Sequence, residues 1–127
     1  MSLDHVLLLC QAHDLPLPAK EQRFHPVRKW LADYLWREQR VILEVEGGLF
    51  AGIKGGGTAL GGHSSACGIL RDMEKGNAAQ LCGYRYLRAT PRQVQTGAIL
   101  PMLRGALLGD ALQIRQWEQW GVNARIR

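Results

Sequence analysis

The spacing of apolar and polar positions changes period several times along the chain, and each change marks an element. Leu3 to His13 carries leucines at positions 7, 8 and 9 and stops ahead of Pro16 and Pro18, which predicts a short helix and then a linker over Leu15 to Ala19. Arg23-Phe24-His25-Pro26 is expected to be extended, because the residue before a proline is pushed out of the helical region. Trp30 to Trp36 is aromatic and apolar enough for a half-buried strand. Its period of two puts Leu31, Asp33 and Leu35 on one face and Trp30, Ala32, Tyr34 and Trp36 on the other. Arg37 to Arg40 reads as a short turn and Val41 to Glu46 as the next strand, and so brief a connection implies an antiparallel hairpin.

Glycine fills half of positions 47–62, yet the spacing G-x-x-x-x-G-K-[ST] is absent, so a nucleotide-cradling loop is not expected. A glycine flap that approaches a polymer backbone and an idle connecting loop both suit this stretch. Ser64 or Ser65 caps a helix predicted over Ala66 to Cys82, and Gly83 stands where such a helix ends. Along it, Ile69, Leu70, Met73 and Leu81 read as the apolar stripe, with Arg71, Asp72 and Lys75 on the polar side. Tyr84 to Ala89 is a strand, Thr90 caps the segment after Pro91, and one or two terminal helices cover 99–108 and 112–120 with a break around Gly109. A crossover from Glu46 to Tyr84 would lay the last strand parallel to a hairpin strand and cover the sheet with a helix. The expected class is α/β: a mixed sheet of hairpin plus crossover strand, flanked by helices, in one domain over 1–127.

Carboxylates interrupt this pattern where apolar residues would be cheaper. Glu44 and Glu46 share a strand face with Ile42, and Asp33 lies on the strand before them. Charge on an apolar strand is costly unless something compensates it, and a hard divalent cation, which takes carboxylate and carbonyl oxygens, is one such compensator. Salt-bridged acids are the plainer alternative: Asp33 with Arg28 or Arg40, Glu44 within the sheet, and Glu46 as a strand-end surface residue.

The formal net charge of +5 favours a polyanionic partner, although a solvated basic surface gives the same total. Basic residues bracket the acidic strand, at Lys20, Arg23, Arg28 and Lys29, then Lys54, Arg71 and Lys75, then Arg85, Arg88 and Arg92. An acidic centre in a basic surround suits a cation site working on a phosphate backbone. Cys10, Cys67 and Cys82 are odd in number and form no C-x-x-C pair, so reduced thiols are expected. Zinc held by His63, Cys67 and Cys82 would match no common spacing. No apolar run is long enough to span a membrane, and the first residues lack a secretory pattern, so cytoplasmic residence is expected. The aromatic residues Trp30, Tyr34 and Trp36 are assigned to packing.

Asp33, then Glu44 eleven residues on, then Glu46 resemble the core of the PD-(D/E)XK nuclease superfamily, in which an acid on one hairpin strand precedes an acid-x-lysine on the next. Gly61-Gly62-His63, the segment Arg71-Asp72-Met73-Glu74-Lys75-Gly76-Asn77 and the segment Gly83-Tyr84-Arg85-Tyr86-Leu87-Arg88 extend the likeness to small single-domain bacterial and phage endonucleases related to very-short-patch repair nucleases. The resemblance covers about residues 21–108, leaving 109–127 as a carboxy-terminal helical segment. It implies a restriction-endonuclease-like core and divalent-cation-dependent hydrolysis of DNA. Asp33, Glu44 and the Val45 carbonyl would hold Mg²⁺ or Mn²⁺. Glu46 departs from the pattern by standing where lysine is usual; it would orient water or hold a second cation. Lys75 would then supply the missing positive charge, and His63, whose ordinary pKa suits proton transfer near neutrality, is a candidate general base. Lys54, Arg71, Lys75, Arg28 and Lys29 are the candidate DNA contacts. A homodimer is expected, with the apolar segment around Trp117 and Trp120 as its interface.

Overall fold

The computed structural model describes residues 3–47 and 66–109. In chain order these form α1 (His5–Ala12), β1 (Ala19–Arg23), β2 (Leu31–Trp36), β3 (Val41–Val45), α2 (Ala66–Leu81), β4 (Arg85–Ala89), α3 (Pro91–Gln95) and α4 (Leu100–Leu108). The strands make one sheet in the order β1-β2-β3-β4. β1 with β2 and β2 with β3 are antiparallel, with Tyr34 opposite Leu43, whereas β3 and β4 run parallel, with Val41 beside Arg85. The fold is therefore α/β, a four-stranded mixed sheet flanked by helices, and both the hairpin and the crossover strand are present.

Local chemistry explains where the elements stop and start. Asp4 caps α1, its Oδ1 accepting from the Leu7 N–H at 3.0 Å. The hairpin turn closes with Arg40 in the left-handed region at φ 59°, its N–H donating to the Arg37 carbonyl at 3.3 Å. Gly83, at φ +88°, ends α2 in a conformation that side chains disfavour. Thr90 and Gln93 form a capping box around Pro91 at the start of α3.

Two cores sit on opposite faces of the sheet. One packs Val6 and Cys10 of α1, Val94 of α3, Leu103 of α4 and Ile99, which caps α4, against Trp36, Val41 and Leu43. The Trp36 indole N–H donates to the Pro16 carbonyl at 2.7 Å, which ties the first connection to this face. The other core packs Phe24, Leu35, Ile42 and Tyr84 with Ala79 of α2. All three cysteines are free; burial, followed by the Asp4 charge, pushes the Cys10 thiol up to about 11.

Three expectations are corrected. The residues read as the end of a linker and an extended segment contain an additional edge strand, β1, whose polar sequence carries no alternation. After Arg23 the chain leaves the sheet, and His25 Nδ1 accepts from the N–H groups of Val27 and Arg28 at 3.1 and 2.9 Å. The apolar stripe of α2 is turned outward: Ile69, Leu70, Met73 and Leu81 are all more than half exposed, and Gly68 and Ala79 are the buried positions. Close approach to the sheet selects small residues there. Finally, Ala32 is buried with Leu35 instead of with Tyr34. Opposite Asp33, Glu21 lies in the left-handed region at φ 52°, and the ladder skips that pair, so strict alternation fails at this point. The glycine stretch 48–62 and the segment 112–120 lie outside the described residues.

Gly76 sets the distance between α2 and the sheet. A Cβ there would meet the Tyr86 ring at 3.2 Å, tighter than ordinary van der Waals contact. Gly76→Ala gains helix propensity of about 1 kcal/mol but must push the ring away, and overpacking costs about 1–3 kcal/mol. Net destabilisation is expected in urea unfolding; a more stable variant would mean the interface yields freely.

Candidate functional site

Because β2 and β3 are antiparallel with Tyr34 opposite Leu43, Asp33 and Glu44 meet where the two strands part. The main-chain ladder ends there and the two side chains take over. The Val45 N–H donates to Asp33 Oδ2 at 2.9 Å, and the Asp33 N–H donates to Glu44 Oε2 at 2.7 Å. Each acid thus binds backbone from the other strand, and both carboxylates are fixed near the sheet's opening edge.

Glu44 is 6% exposed and is the only buried charged residue among the described residues. Its second oxygen, Oε1, accepts from the Lys75 ammonium, and the Tyr86 hydroxyl donates to it at 3.3 Å. Lys75 also donates to the Leu31 carbonyl at 2.7 Å, so one side chain of α2 joins the start of β2 to the middle of the sheet. The ion pair is well shielded, with side-chain exposures of 16% for Lys75 and 8% for Glu44. Burial, and then the Glu44 charge, holds the Tyr86 hydroxyl protonated well above the usual phenol range, so it remains a hydrogen-bond donor. Tyr86 was not legible as a site residue; its position across the parallel register, two pairs before Glu44 and Arg88 and so on the same face, is the only signal that would have found it.

Asp33 is different. It is half-buried, has no cationic partner among the described residues, and lines an open pocket of about 240 Å³ with Lys20, Glu21, Tyr34 and Val45. Neither Arg28 nor Arg40 reaches it. Arg28 pairs with Glu74 at 2.7 Å and lies over the Trp30 ring, while Arg40 covers Tyr84 and donates to the Cys82 carbonyl. Lys20, Asp4 and the Tyr34 hydroxyl form a neighbouring polar group, with Lys20–Asp4 at 2.6 Å and Tyr34–Asp4 at 3.0 Å.

Glu46, the third acid of the sequence pattern, is engaged elsewhere. Arg88 Nε and Nη2 contact its Oε1 at 3.0 and 2.9 Å on the rim. Among the described residues, no group of three or more His, Cys, Asp or Glu side chains converges. The oxygen donors present, two carboxylates on adjacent strands with an Asp33 Oδ1 that has no partner among the described residues, are nevertheless the type a hard divalent cation takes. Lys29 and Arg71 are exposed and form no ion pair among the described residues, and Lys54 and His63 lie outside those residues. No helix among the described residues is long and apolar enough to cross a membrane. No family model, curated protein or solved structure matches the chain.

Proposed function

We propose that this protein is a divalent-cation-dependent DNA endonuclease with a restriction-endonuclease-like core, hydrolysing phosphodiester bonds at the edge where β2 and β3 separate. One observation carries the reading: Asp33 and Glu44 are cross-bonded through each other's backbone, and Asp33 is left without a compensating charge among the described residues. Accepting from the Val45 N–H gives Asp33 a structural use, but a neutral acceptor would serve there equally well, and the cation reading accounts for its charge. Asp33 and Glu44, with the Val45 carbonyl, would hold Mg²⁺ or Mn²⁺. When bound, such a cation supplies Lewis-acid chemistry, drawing charge from the phosphodiester and making water a stronger nucleophile at neutral pH.

The protein's own residues do the rest. Lys75 and Tyr86 hold Glu44 Oε1, which leaves Oε2 turned toward Asp33. The Lys75 ammonium, paired with Glu44, places a cationic side chain beside the site, suited to the negative charge that builds on the phosphoryl oxygens during in-line attack. The net charge of +5 favours approach of the polyanion. Cleavage of linear duplex, single strand and four-way junction should be measured with Mg²⁺, with Mn²⁺ and with chelator. Cation-dependent products on at least one substrate are expected, and no cleavage of any of them defeats the proposal. A preference for the junction would make the protein a resolving nuclease.

A second reading has its own support. Because Lys75 already compensates Glu44, the fold is electrically viable without a cation, as a non-catalytic DNA-binding module would require. Calorimetry with Mg²⁺ or Mn²⁺ separates the two, since the module should give no heat that depends on Asp33. Homodimerisation remains part of the proposal; its expected interface around Trp117 and Trp120 lies outside the described residues.

A further inference from the structure

The two ion pairs on this face of the sheet differ in kind. Glu44 and Arg88 are register partners on the parallel strands β3 and β4, so their side chains leave the sheet on the same side. Lys75–Glu44 is shielded and reinforced by two further contacts, whereas Arg88–Glu46 is half-exposed, with side-chain exposures of 50% and 34%. Both Arg88 contacts go to a single oxygen, Glu46 Oε1; Glu46 Oε2 and Arg88 Nη1 have no partner among the described residues. A guanidinium bound in this way does not use its fork, which fits the two oxygens of a carboxylate or phosphate. An exposed, one-oxygen pair is weak and screened by salt. Beside it opens a pocket of about 430 Å³ lined by Glu46, Arg88, Ala89, Thr90 and Gln93. The Thr90 N–H donates to Gln93 Oε1, which fixes the amide orientation and leaves the Gln93 NH₂ without an acceptor among the described residues. Arg88 stands beside Glu44 in the parallel register, and Glu44 accepts from the Tyr86 hydroxyl, so this pocket adjoins the acid site.

We infer that Arg88 is a backbone-phosphate receptor for nucleic acid, held in the free protein by Glu46 as an exchangeable stand-in, with the Gln93 amide as a neighbouring donor to the same strand. Glu46 is on this view a positioning residue acting through Arg88 and not a cation ligand. The inference rests on the DNA side of the proposed function and not on its hydrolytic step.

Binding of a fluorescein-labelled duplex should be measured by anisotropy in chelator, at several salt concentrations, for the unmodified protein, Glu46→Gln, Arg88→Gln and the double variant. Arg88→Gln is expected to weaken binding several-fold and to lower the slope of log K against log salt by about one. Glu46→Gln is expected to tighten binding several-fold, and the gain should vanish in the Arg88→Gln background. A general charge effect would tighten both backgrounds equally, so a gain that persists there overturns the inference. Unchanged affinity in Arg88→Gln, weaker binding in Glu46→Gln, or no duplex binding by the unmodified protein also overturns it. Calorimetry with Mn²⁺ should give the same affinity for Glu46→Gln as for the unmodified protein; a loss would make Glu46 a ligand and reject its assigned role. If the binding pattern appears without cleavage under any condition, the phosphate receptor stands and the hydrolase reading alone fails.

Discussion

Asp33→Asn is expected to lower cation-dependent cleavage by about a thousandfold while leaving the fold intact. On the proposed function the loss would come from removing one of two anionic ligands: Lewis-acid stabilisation is worth several kcal/mol, and each 1.36 kcal/mol is a factor of ten. The fold should survive because Asp33 Oδ2 serves as the acceptor for the Val45 N–H, a role that the carbonyl oxygen of asparagine fills equally well. The variant also removes an acid that has no cationic partner among the described residues, so no ion pair there is broken. Cleavage rate should be followed against Mn²⁺ concentration, alongside a thermal melt. Near-normal cleavage by a well-folded Asp33→Asn protein would remove the site from this edge of the sheet. Glu44→Gln should lose activity comparably, but its stability effect is harder to isolate because it strands Lys75.

That coupling makes Lys75 the second large effect. Lys75→Met leaves the Glu44 carboxylate, 6% exposed, with Tyr86 and the Asp33 N–H but no positive charge. Breaking a buried pair from one side costs about 3–5 kcal/mol; the lower end applies here, since Lys75 retains some exposure. The Leu31 carbonyl also loses its donor, adding to the loss at the start of β2. Combining Lys75→Met with Glu44→Gln should recover part of the stability, because no charge is then stranded. Urea unfolding of the two single variants and the double variant forms the cycle. Strict additivity, or a Lys75→Met protein as stable as the original, would show that the pair contributes nothing to folding.

Strong patterning made much of the architecture readable. β2 and β3 carry runs of apolar and aromatic residues around a four-residue turn, and Gly83, the Thr90-Pro91 pair and Gly109 each end or begin a helix for a local steric reason. β1 was hidden because Ala-Lys-Glu-Gln-Arg offers no hydrophobic period; a charged edge strand is stabilised by its partner's ladder, not by its own burial. The facing of α2 was misread for the opposite reason. Large apolar side chains dominate any helical stripe, yet the sheet-facing side uses Gly76 and Ala79, where size and not hydropathy decides. At the site, the Asp33–Glu44 opposition could be anticipated from hairpin geometry. Lys75 was expected near the acids only through the family resemblance; its direct pairing with Glu44 could not be derived from periodicity, since it depends on how closely a helix 31 residues away settles on the sheet.

The parallel pairing of β3 with β4 also has a kinetic meaning. β1, β2 and β3 form a meander of near neighbours, closed by short connections, whereas Val41 must find Arg85 across the whole crossover. Long loops are entropically slow to close, so the meander has the shorter search and the docking of α2 and β4 the longer one. Until that docking, Glu44 is a hydrated carboxylate on an unfinished sheet. Its desolvation requires Lys75 and Tyr86, so the acid centre is complete only once α2 and β4 have both docked on the meander.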